Sequence, residues 1–150
     1  MDGQFTIELH QQADYRFEVQ FDRPAIPKLI TDETAPLGGD AGPNPERMLA
    51  TAVAHCLAAS LLFALRKFKN DPRRVDAVAS VRTVRNAQGR LRIGSIEVEL
   101  RLGAAASELA MLDRVLAQFE DFCVVTQSVR PAIAVTVRVL DGTGAVLKSS

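Results

Sequence analysis

Residues 42–56 read GPNPERMLATAVAHC, and the reading of that stretch decides the fold. Asn44 can cap a helix whose first residue is Pro45, because proline's missing N–H is no loss there and its fixed φ suits the position. Glu46 follows in the first turn, where the helix dipole favours an anion. From there apolar and small residues run almost all the way round, which predicts a helix from Pro45 to about Lys69 that is buried on most sides. Asn70, Asp71 and Pro72 stop it. Its most apolar part, 48–65, is interrupted by Thr51, His55 and Ser60 and is rich in alanine rather than leucine. A buried helix explains it better than a membrane span, which needs about 20 predominantly apolar residues.

Working outward from this helix, FTIEL (5–9) and YRFEVQF (15–21) alternate with period two, Phe17, Val19 and Phe21 lying opposite Arg16, Glu18 and Gln20. They read as two strands joined through HQQAD. Residues 22–45 then hold five of the seven prolines and three of the nine glycines, which excludes a helix interior and predicts a long ordered loop or a linker. On the other side of the helix, VDAVASVRTVR (75–85), NAQGR (86–90) and LRIGSIEVELRL (91–102) form a hairpin. Ser107 is expected to cap a second helix carrying Leu109, Leu112, Val115, Leu116 and Phe119, which ends near Asp121 and Phe122. A strand, a turn at 141–144 and a short last strand close the chain. This order predicts an α+β protein in which antiparallel strand pairs wrap a long buried central helix. One chain of this size cannot readily cover both sides of such a helix, so an obligate homodimer is expected.

The 150 residues suit one domain, 1–150, with 47% hydrophobic content enough for a real core. Eighteen basic residues balance eighteen acidic ones, which argues against nucleic acid as a partner. The arginines between 73 and 92 alternate with apolar residues as the solvent face of a strand does. The first residues, MDGQFTIELH, carry no basic and apolar leader pattern, so the expected location is cytoplasmic, with no membrane partner. In a reducing cytosol the two cysteines, Cys56 and Cys123, are not expected to form a static bridge.

Each cysteine has two readings. Cys56, in mid-helix with Ala52, Val53 and Ser60 as same-face neighbours, could be a small core hydrophobe or a working thiol. Cys123, in EDFCVVTQS (120–128), follows a helix end and precedes one further turn, which would place its sulfur near a helix N-terminus and favour the thiolate. Neither His10 nor His55 stands at a ligand spacing from them, so no metal or other cofactor is expected. His55 points about 100° round the helix from Cys56.

GPNPERMLATAVAHC, followed 67 residues after its cysteine by FCVVTQSVR, resembles the OsmC and organic hydroperoxide resistance family of thiol peroxidases. The resemblance covers almost the whole chain. It implies an intertwined homodimer in which Cys56 attacks an organic hydroperoxide and becomes a sulfenic acid, Cys123 resolves it as a disulfide, and a dithiol reductant reopens that bond. It also implies that Glu46 orients an arginine beside the reactive thiolate. Ten residues of straight helix span about 15 Å, so either the helix breaks or two helices pack antiparallel and each Glu46 serves the other subunit's Cys56. One branch of the family carries the arginine in the loop before the helix, but ETAPLGGDAG (33–42) has none. The branch carrying it in the N-terminal strands is matched by Arg16, with Arg23 as second choice. The other reading of the same fold is a redox-inactive module that binds a small hydrophobic ligand.

Overall fold

The alternating residues 16–20 form the middle strand of a three-stranded antiparallel sheet in the computed structural model, which describes residues 2–150. The chain divides into two units, one ending at Leu49 and one running Ala50–Ser150. In the first, β1 (Glu8–Ala13) pairs with β2 (Arg16–Gln20) through a turn at Asp14, and β2 pairs with β3 (Leu29–Thr31). Two details differ from the sequence reading. The first strand begins at Glu8 rather than Phe5, and His10 and Gln11, expected in the link, face Glu18 and Phe17 in register. The third strand comes out of the proline-rich stretch. In both cases backbone pairing to β2, which side-chain alternation does not report, sets the limits.

The rest of that stretch is an ordered loop closed on Asp32. Its carboxylate accepts the N–H groups of Glu33, Gly39 and Ala41 at 2.8, 3.1 and 3.1 Å. A Cβ on Gly42 would lie 2.0 Å from the Ile30 carbonyl oxygen, so only glycine lets the chain pass there. The loop delivers Asn44, whose Oδ1 accepts the Arg47 N–H at 3.1 Å, as the expected cap of α1 (Pro45–Lys67). The far end of α1 closes in a Schellman turn. Lys69 adopts φ 62°, Asn70 N–H bonds the Leu65 carbonyl at 3.0 Å and Lys69 N–H bonds that of Arg66 at 2.8 Å. The Asn70 side chain then binds Ala110 through both its N–H and its carbonyl, fixing the helix end to the chain 40 residues on.

The second unit is a four-stranded sheet, β4 (Val75–Arg85), β5 (Leu91–Leu102), β6 (Ala134–Leu140) and β7 (Val146–Ser149), in that spatial order. The β4–β5 and β6–β7 pairs are antiparallel as expected, while β5 and β6 are parallel, which the long crossover between them permits. Ile96, Val98, Leu100 and Leu102 of β5 and Val135, Val137 and Val139 of β6 pack with Val53, Leu57, Leu61 and Leu65 of α1 in one core. α1 is long and apolar enough to cross a membrane by length and composition, but this buried stripe makes it a core helix. Only that face is buried. Ala52, His55, Ala59 and Phe63 are exposed, Phe63 at 68%.

The crossover holds the largest departure from the sequence reading. Instead of one helix capped by Ser107, there is a 3-10 turn at Ala106–Glu108, then α2 (Leu112–Gln118), a second 3-10 turn at Phe119–Phe122, and α3 (Val124–Val129). Glu108 folds back to accept the Ala105 N–H at 2.9 Å and is ion-paired with Arg73, while Met111 turns the chain with φ 56° before α2 begins. The tie to Arg73 and the left-handed turn at Met111 overrule the helical spacing of the apolar residues, all five of which (Leu109, Leu112, Val115, Leu116 and Phe119) pack in or against the core nevertheless.

Candidate functional site

The second unit brings the two cysteines together. Cys56 is partly exposed on α1 and packs against the core, whereas Cys123 is fully buried in it. Both belong to the same packed cluster, and the Cys56 side chain is near enough to raise the Cys123 thiol, although 67 residues separate them in the chain. Both are free thiols.

Cys123 caps α3, as its place in the sequence suggests. Its sulfur accepts the Thr126 N–H at 3.4 Å and lies 2.9 Å from Thr126 Oγ1, inside the core. As a thiol it donates to that hydroxyl; as a thiolate it accepts from it. The expected lowering of its pKa does not result. Burial pushes the Cys123 thiol up, the Cys56 side chain adds to this, and the hydroxyl and N–H of Thr126 pull down without prevailing. The reason is physical: α3 has only six residues, and desolvation of an enclosed sulfur outweighs the dipole of so short a helix.

Three residues that sequence reasoning missed surround this segment. Glu120, only 8% exposed, binds Arg130 Nη2 through Oε1 at 2.5 Å and Lys148 Nζ through Oε2 at 2.6 Å. Burial alone would raise the Glu120 carboxyl, but Lys148 and Arg130 together hold it below the ordinary carboxylate range. Arg130 also donates to the Val135 carbonyl, and Lys148 to that of Leu116 while lying 5.2 Å over the Phe119 ring. An acid and a base ten residues apart around a cysteine were visible in EDFCVVTQSVR. Nothing local pointed to Lys148, which arrives from β7.

Glu46 and Arg16 lie in the first unit. Glu46 is exposed and accepts from Asn44 Nδ2 at 2.7 Å. α1 continues unbroken through it, which removes the alternative of a helix break before Cys56. Arg16 opens β2 and lines a 350 Å³ cleft with Asp14, Asp32, Pro36 and Leu37. The N–H of Ala41 foremost, with those of Gly39 and Glu33 and the charge of Arg16, holds the Asp32 carboxyl low against the cost of burial. Arg23 is exposed at a turn, its carbonyl accepting the Ile26 N–H. His55 is exposed and His10 hydrogen-bonds Glu8.

Comparison with known proteins gives a family and a fold. The sequence pattern of the OsmC-like protein family matches residues 38–138. Among solved structures, an OsmC-like protein of unknown function from Vibrio cholerae superposes with a TM-score of 0.78 at 13% identity, over 93% of this chain and 100% of that one. A putative osmotic stress induced and detoxification response protein from Psychrobacter arcticus gives 0.73 at 21% identity, over 93% and 98%. The organic hydroperoxide resistance protein OhrB of Bacillus subtilis gives 0.65 at 16%, over 91% and 98%. No curated protein matches the chain by sequence. At these identities the structural likeness establishes the fold.

Proposed function

We infer that this chain, which belongs to the OsmC-like protein family, is a thiol peroxidase that reduces organic hydroperoxides through Cys56 and Cys123. The observation that carries this reading is the packing of one partly exposed and one enclosed cysteine in the same core cluster, near enough for the first to act on the second. The Cys56 thiolate attacks the outer oxygen of the hydroperoxide, the O–O bond breaks, and the alkoxide takes a proton to leave as an alcohol. Cys56 is then a sulfenic acid. The Cys123 sulfur displaces its hydroxyl as water and forms the disulfide, which spares Cys56 from irreversible oxidation. A dithiol reductant attacks that disulfide, restores both thiols and leaves as its own disulfide. Cys56, being reachable from outside, takes the first role; Cys123, seated in the core, takes the second.

Arg16 is assigned as the cation that favours the Cys56 thiolate and Glu46 as the carboxylate that orients it. Since Glu46 is about 15 Å along the same continuous helix from Cys56, this assignment requires a homodimer with antiparallel α1 helices. The open α1 face of Ala52, His55, Ala59 and Phe63 supports that assembly. Purified protein given cumene hydroperoxide and a dithiol should consume the peroxide, and Cys56→Ser should abolish it. Thiol titration after one equivalent of peroxide should show two thiols lost per chain. Equal consumption by Cys56→Ser, or unchanged thiols, would refute the assignment and leave a hydrophobic-ligand module as the reading of this fold.

A further inference from the structure

We propose that Glu120, Arg130 and Lys148 are positioning residues: their ion network, centred on the buried Glu120 carboxylate, holds the Cys123 side chain beside Cys56 and so sets how readily the two form a disulfide. The inference rests on the dithiol role proposed above, but its basis is separate. The chain around Cys123 has little means of holding itself. It consists of a four-residue 3-10 turn and a six-residue helix, and helices this short are marginal without tertiary support. Glu120 supplies that support at both ends of the side chain and backbone. Its carbonyl accepts the Cys123 N–H at 3.1 Å and Gln127 Nε2 at 3.0 Å, seating the cap residue and the turn after it. Its carboxylate reaches Arg130, at the C-terminal end of α3, and Lys148, on the edge strand β7. Arg130 continues to the Val135 carbonyl in β6 and Lys148 to that of Leu116 in α2. The segment before the cysteine, the helix after it and two strands of the sheet thus converge on one carboxylate three residues from the sulfur.

A buried, fully partnered ion network is weak grounds for stability, because matched apolar residues can replace it at little cost, but removing one partner leaves uncompensated charge. Its value here is geometric, and the experiment separates the two. Reduced protein is equilibrated with glutathione and its disulfide, so that the two thiols lose two electrons to one glutathione disulfide and release two glutathiones. The equilibrium constant is the effective concentration of Cys123 at Cys56. Glu120→Gln and the triple apolar variant Glu120→Leu/Arg130→Met/Lys148→Met are compared with wild type and with Glu99→Gln, which removes an ion-paired carboxylate elsewhere on the sheet. The expected result is a fall of about tenfold or more in both network variants, equivalent to about 30 mV, with Glu99→Gln unchanged. The triple variant should show the fall even where its melting temperature equals that of wild type. Unchanged effective concentration in a folded triple variant overturns the proposal, as does a wild type that forms no Cys56–Cys123 disulfide. A wild type that forms the disulfide with glutathione but consumes no hydroperoxide leaves the positioning role standing and removes the peroxidase reading instead.

Discussion

Replacing Thr126 with valine removes one hydroxyl from the wall around Cys123 and leaves the side chain's shape nearly unchanged. Thr126 is fully buried and its Oγ1 is 2.9 Å from the Cys123 sulfur. That hydroxyl serves both protonation states, accepting from the thiol and donating to the thiolate, so its loss matters through the difference between them. A hydrogen bond to a charged partner is worth about 1.5–3 kcal/mol against about 0.5–1.5 for a neutral pair, so the thiolate loses roughly 1 kcal/mol more. That amounts to about a fivefold fall in thiolate at neutral pH, each 1.4 kcal/mol being a factor of ten. The remaining thiolate is more nucleophilic, and a Brønsted slope of about 0.4–0.5 cancels nearly half the effect on a logarithmic scale. The net expectation is a roughly two- to threefold slower attack on the Cys56 sulfenic acid. The assay is a single turnover with one equivalent of cumene hydroperoxide, quenched at intervals with dimedone, the surviving sulfenate being counted by mass spectrometry. Removing a group that favours the thiolate moves the profile to higher pH, so the deficit should shrink as the solution becomes alkaline and both proteins ionise. Equal rates at every pH, or a variant that is faster at neutral pH, would show that the hydroxyl does not tune this sulfur.

Three further outcomes test the fold around the site. Asp141 accepts from the N–H groups of Ala106, Thr143 and Ala145 and from the Thr143 hydroxyl, foremost the last, and its carboxyl is held at about 2 against 3.8. A folded-state value below the unfolded one adds stability above the unfolded value that is lost as pH falls towards the folded one. Asp141→Asn should therefore lower the melting temperature at neutral pH and flatten its decline between about pH 4 and pH 2, followed by circular dichroism. Gly142→Ala would set a Cβ 2.2 Å from the Gly103 carbonyl oxygen, and should cost about 1–3 kcal/mol in urea unfolding. Phe63→Glu, placing a charge on the open face of α1, should reduce the mass found by light scattering from two chains to one, and an unchanged mass would remove this face from the dimer interface.

What could be read from residues alone was local. Asn44–Pro45 and Asn70–Asp71–Pro72 bracket α1 because capping and helix termination are settled within a few residues of backbone. Period-two alternation disclosed β2, β4 and β5 because a strand with two unlike faces writes its pattern along itself. The place of Cys123 at the start of a helical turn was legible for the same reason. Whatever depended on partners distant in sequence was not. The extra strand at Leu29–Thr31 exists because β2 pairs with it, the predicted second helix is broken where Glu108 pairs with Arg73 and Asn70 binds the backbone at Ala110, and β5 and β6 lie parallel only once the crossover is folded. The same holds for the site. Its two cysteines are conspicuous in the sequence, but the direction of the Cys123 pKa follows from enclosure in the core, and the meeting of Glu120 with Arg130 and Lys148 follows from the reach of Lys148, on β7, to the turn at Phe119–Phe122. Local propensity chooses the elements; desolvation and ion pairing are properties of the space between them, which only the assembled chain defines.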